Sequence, residues 1–199
     1  MHPANSSART SARIVCIRGA DPIFSEKESM HKWEEFLLNQ LYIYELTGDN
    51  EEVDFSIIAI DGILRNIREK KTLPDYLAHS LDIAVSLRKA DIVYLIEYTC
   101  CAERRNSFRV RGKSPSSSTE ASDIAISLQA TTQKIGNWFK QHKRFASHKP
   151  LKIVRCIAEI EPSDDYRFRK VIRFVTFEYF GQGFGLGKRA CRDIVEFAW

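Results

Sequence analysis

The chain reads as an α+β or mixed α/β fold, a single five-stranded mixed sheet with helices packed on it, in the order β-α-β-α-β-α-β-β-α. Three observations predict this. Short β-branched apolar runs alternate with segments of helical periodicity over most of the chain. The last two strand-like runs instead follow one another across Glu161-Pro162-Ser163-Asp164-Asp165, a turn-rich link that makes an antiparallel pair. The 199 residues, 44% hydrophobic and 11% aromatic, suffice for one substantial core.

Residues 1–11 are small and polar and read as a flexible arm, leaving 12–199 as a single domain. Ala12 to Arg18 (ARIVCIR), bounded by Gly19, is the first strand. Ser25 and Glu28 have capping-box spacing, and Met30, Trp33, Leu37, Leu41 and Tyr44 carry a helix towards Gly48. Val53 to Ile60 is the second strand. Thr72, Pro74 and Asp75 start a second helix with Leu77, Leu81, Ala84, Val85 and Arg88 in phase. Asp91 to Thr99 is the third strand, and the basic, serine-rich stretch 100–120 has loop composition. From Ser122, the residues Ile124, Leu128, Thr131, Ile135, Trp138, His142 and Phe145 keep one stripe over six turns and predict the central core helix. Leu151 to Ile160 and Phe168 to Phe180 are the paired strands, and a helix from Lys188 closes the chain.

Composition excludes several function classes. No apolar run is long enough to span a bilayer, and the N-terminus lacks the apolar core of a secretory signal. Cysteines 16, 100, 101, 156 and 191 form no CxxC pair, and the five histidines are scattered, so neither a disulfide framework nor a zinc site is indicated. No cofactor is implied. Reduced thiols point to a cytoplasmic setting, with the nucleus as the secondary option.

The net charge is only +4, but it is unevenly spread. Arg104, Arg105, Arg109, Arg111 and Lys113 crowd one stretch. Lys140, Lys143 and Arg144 flank the long helix, and Arg167, Arg169 and Arg173 interleave with aromatics on the last strand. Clustered positive potential draws polyanions whatever the net charge. Gly181, Gly183, Gly185 and Gly187 then lead into Lys188-Arg189, which at a helix N-terminus could present backbone N–H groups to phosphate. Gln182 stands where a P-loop needs glycine, and Arg189 where it needs Ser or Thr.

Lys170 to Phe177 (KVIRFVTF) resembles the first RNP motif of the RNA-recognition fold at Lys170, Phe174, Val175 and Phe177, with Val93-Tyr94-Leu95 as the partner motif. Val171 and Arg173 depart from the motif's glycines and Ile172 from its aromatic. The resemblance implies bases stacked on strand aromatics.

The function these features predict is a non-enzymatic binding protein contacting RNA or another polyanion through the C-terminal half. The composition suits a viral accessory protein such as a silencing suppressor or matrix-like protein, with homo-oligomerisation compatible. The alternative is a metal-dependent phosphodiester enzyme. Glu159 and Glu161, two apart on a strand, would chelate a divalent ion with Asp61 or Glu97.

Overall fold

The computed structural model describes residues 13–39, 54–60, 64–88, 90, 92–112, 116–142, 145, 150–163, 169–186 and 193–197. Strand β1 (Arg13–Gly19) runs into a 3-10 turn (Pro22–Ser25) and helix α1 (Lys27–Leu38). Strand β2 (Asp54–Ile60) is followed by α2 (Leu64–Arg68) and α3 (Asp75–Asp82), whose last turns widen to π geometry over Ile83–Leu87. Strand β3 (Ile92–Tyr98) leads to α4 (Ala102–Val110) and the 25-residue α5 (Ser117–Gln141). Strands β4 (Leu151–Ile160) and β5 (Val171–Thr176), helix α6 (Phe177–Gly183) and strand β6 (Ile194–Phe197) complete the chain.

The sheet order is β2-β1-β3-β4-β5, with β1, β2, β3 and β4 mutually parallel and β5 antiparallel to β4. All seven residues of central β3 are buried. Two apolar layers sandwich the sheet. On one face Val15, Ile17, Val93, Leu95 and Ile153 meet α2, α3 and α5, whose Ile124, Leu128, Ile135 and Trp138 are buried. On the other face Cys16, Tyr94, Cys156 and Phe174 meet α1 through Trp33 and Leu37. The Trp33 ring sits edge-on to Tyr94 at 5.2 Å and to Phe174 at 5.0 Å. This doubly wound arrangement places the crossover after β1 on one face and those after β2 and β3 on the other.

The fold class stands as the sequence predicts, but individual elements differ. Residues 102–110 form a helix where loop composition was read, because Arg104 and Phe108, one turn apart, both turn inward and are buried. Helix α5 starts at Ser117 rather than Ser122, because the Ser116 hydroxyl accepts from the Thr119 amide and caps it earlier. The capping box at Ser25 and Glu28 does not form. Asp21 instead caps the 3-10 turn by accepting from the Ile23 amide, and α1 begins without a side-chain cap.

The largest difference lies at the C-terminal edge. The last predicted strand ends at Thr176, whose hydroxyl accepts from the Tyr179 amide and starts α6. The predicted closing helix is instead strand β6, a sixth strand pairing Ile194–Phe197 with Val154–Leu151. Because β3 occupies one side of β4, both β5 and β6 take the other, each along one half. Residues 177–193 are thus an excursion from an interrupted edge strand. Asp193 closes it: its carboxylate accepts from the Glu178 amide at 2.6 Å, and its carbonyl from the Arg155 amide at 2.8 Å.

Candidate anion-binding cleft

In a doubly wound sheet the connections diverge where the strand order reverses, and ligand sites form beyond the carboxyl ends of the strands there. In this chain that point lies between the ends of β1 and β3. Gly19-Ala20-Asp21 leaves one strand and Thr99-Cys100-Cys101 the other. Cys100 takes φ of 56°, a left-handed conformation that no other described non-glycine residue adopts. Arg169, entering β5 from the far side, bridges the two strand ends. It donates to the Asp21 carboxylate at 2.8 Å and lies 3.5 Å from the Cys100 carbonyl oxygen.

Beside this bridge opens a cleft of about 480 Å³ between α4 and the residues Ser163 and Arg169, with Cys100, Glu103, Arg105, Asn106 and Arg109 among its lining residues. Helix phase builds its charge. Arg105 and Arg109 lie one turn apart on the outer side of α4, and neither has an ion-pair partner among the described residues. Glu103 also lines the cleft and accepts from the Asn66 side-chain amide at 3.1 Å.

The predicted basic residues separate into several environments. Arg104 is a correction: it is fully buried and has no access to an external polyanion. Its guanidinium donates to Glu97 at 2.6 Å, Asp123 at 3.0 Å and the Tyr98 carbonyl at 2.8 Å, with Glu120 at 3.8 Å. Burial works against this cation, yet Glu97, Cys101 and Glu120 outweigh it and hold Arg104 above its already high ordinary value. Asp123 also receives Arg68 of α2 at 2.9 Å, so the cluster ties α2, α4 and α5 to β3.

Arg169 is also buried and committed to Asp21, so it forms a wall of the cleft and not a free contact. Arg111 pairs with Glu69 at 3.4 Å. Arg173 pairs with Glu159 at 2.7 Å and lies over the Tyr179 ring at 5.2 Å. Lys140 lies 5.7 Å from the Phe197 ring, beside the start of β4. The ten residues of β4 separate it from the cleft by about 30 Å at the usual strand rise. Of the predicted set, the structure therefore brings Arg105, Arg109 and Arg169 together and disperses Arg111, Arg173 and Lys140. Lys113, Lys143, Arg144, Arg167, Lys188 and Arg189 lie outside the described residues, as does Asp61.

The strand aromatics do not form a stacking platform. Tyr94, Phe174 and Phe177 are buried within the two layers, which removes the face that the RNP resemblance implies. Nor do the carboxylates converge. Glu97 is enclosed with Arg104, and burial raises its carboxyl above the ordinary value although Arg104 opposes this. Glu159 is taken by Arg173, and Glu161 is exposed beyond the end of β4. No group of three or more His, Cys, Asp or Glu among the described residues is placed to hold a metal. Gly181 and Gly183 lie within α6 and Gly185, with φ of 68°, makes a left-handed turn after it, while Gly187 and the predicted helix start at Lys188 lie outside the described residues.

Sequence reading missed Asp21 and Asn106. Asp21 was findable, since Asp-Pro after a strand and Gly-Ala is a helix-start signal. Asn106 carried no signal until residues 102–110 were known to be helical. No described helix is long and apolar enough to cross a membrane. No protein-family model and no curated protein matches the sequence.

Proposed function

We propose that the protein is a non-enzymatic binder of RNA or another phosphate-bearing polyanion, and that contact centres on the Arg105–Arg109 cleft. One observation carries this reading: two guanidiniums one helical turn apart, both without a carboxylate partner among the described residues, line a concave space walled by a third arginine. Like charges at this spacing cost about 0.2–0.5 kcal/mol in an isolated helix, and nothing described within the fold compensates them. A bound anion reverses the sign. It would receive charge-assisted hydrogen bonds from two planar forks, an arrangement suited to phosphate oxygens.

Fluorescence anisotropy of a labelled single-stranded RNA, titrated at two salt concentrations, tests the proposal. Each phosphate contact contributes a log–log slope of about −0.7, so two contacts predict roughly −1.4. Arg105→Gln with Arg109→Gln should weaken binding and flatten the slope. Absence of binding at low salt, or unchanged binding by the double variant, contradicts the proposal.

A further inference from the structure

We infer that the cleft takes a phosphomonoester, the terminal phosphate of a nucleotide, and not a stretch of phosphodiester backbone. The inference rests on the cleft being the anion site and specifies what it selects. Its donors are compact: Arg105 and Arg109 fall one turn apart on α4, and Asn106 lines the same cleft. Two unpaired guanidiniums match the charge of a phosphomonoester, which carries about −1.5 to −2 at neutral pH, whereas a diester carries one negative charge per phosphate. Arg169, fixed by Asp21, closes one side.

A backbone track needs further free cations in line with the cleft, and four of the predicted ones do not provide them. Arg104 is enclosed, Arg111 and Arg173 are paired, and Lys140 lies at the other end of β4. Glu103, itself a lining residue, adds a negative charge to the cleft. A second phosphate there would be repelled, while a sugar hydroxyl could donate to the carboxylate. The result is an end pocket with one strong anion position and an acceptor beside it.

The experiment compares one RNA oligomer, labelled at its 3′ end, carrying either a 5′-phosphate or a 5′-hydroxyl, with a free nucleoside monophosphate as competitor. The expected result is about tenfold tighter binding of the phosphorylated oligomer, equivalent to about 1.4 kcal/mol, and competition by the mononucleotide. Arg105→Gln with Arg109→Gln should remove the preference, with melting temperature retained or raised as the control for folding.

Equal, salt-dependent binding of both oligomers overturns this inference and leaves the polyanion reading standing. Mononucleotide binding without RNA binding supports the phosphomonoester pocket and overturns the RNA reading. Binding of none of the three overturns both. A preference that survives in the double variant overturns the assignment to this cleft.

Discussion

Gly136→Ala should destabilise the protein, opposite to the usual effect of replacing a glycine inside a helix. Gly136 lies in α5, where alanine normally gains up to about 1 kcal/mol in helix propensity. An added Cβ, however, would fall well under 3.0 Å from the ring of Phe197, which packs on the helix backbone. That ring belongs to β6, held in register against Leu151 of β4, so it cannot withdraw without disturbing the edge strand. Overpacking of this kind costs about 1–3 kcal/mol. Set against the propensity gain, the balance is a loss of up to about 2 kcal/mol, or up to roughly 8 °C in melting temperature for a chain of this size. Urea denaturation monitored by tryptophan fluorescence gives the free energy. A double-mutant cycle isolates the cause: in a Phe197→Ala background the ring is gone, and Gly136→Ala should become stabilising. If Gly136→Ala stabilises the parent protein as much as it does the Phe197→Ala variant, β6 is not docked on α5 as described.

Arg104→Met should cost about 3–5 kcal/mol in chemical denaturation, because it leaves buried Glu97 without its cation and Asp123 with Arg68 alone; a loss below 1 kcal/mol would contradict the buried cluster. Burial raises the Asp193 carboxyl above its ordinary 3.8, outweighing the hydrogen bond from the Glu178 amide. A raised folded pKa adds stability that is complete below the unfolded value and lost as pH rises through the folded value. Asp193→Asn keeps an acceptor for that amide, so it should equal or exceed the parent in stability at pH 7, with the advantage shrinking as pH falls through the raised folded value to 3.8; an advantage that grows on acidification refutes the burial. Burial also raises the thiol pKa values of Cys16, Cys100, Cys101 and Cys156. Only Cys100 is half-exposed, so peptide mapping after native alkylation at neutral pH should find it modified slowly and the other three protected. Rapid labelling of Cys16 or Cys156 would show an open sheet.

The parallel part of the fold was legible because its signals are local and repeated. The stripe from Ile124 to Trp138 specifies a buried helix, and the β-branched run Ile92–Tyr98 a buried strand. The C-terminal edge was not legible, since β5 and β6 share one partner strand across a seventeen-residue excursion. Nothing local distinguishes Ile194–Phe197 as a short strand from the end of a helix; the open side of β4 and the flat surface at Gly136 decide it. The site shows the same division. Arg104 and Arg105 are adjacent and chemically identical, yet a rotation of about 100° per residue sends one into a carboxylate cluster and the other into the cleft. Sequence reading placed cations in this region but not the helix phase that separates structural from available charge.

Amide hydrogen exchange with and without saturating 5′-phosphorylated RNA tests the central claim most directly, because it locates the contact without presupposing it. The account predicts added protection over residues 100–109 and at Arg169–Lys170. Protection confined to the end of α5 around Lys140 and to β6, with α4 unchanged, would contradict it.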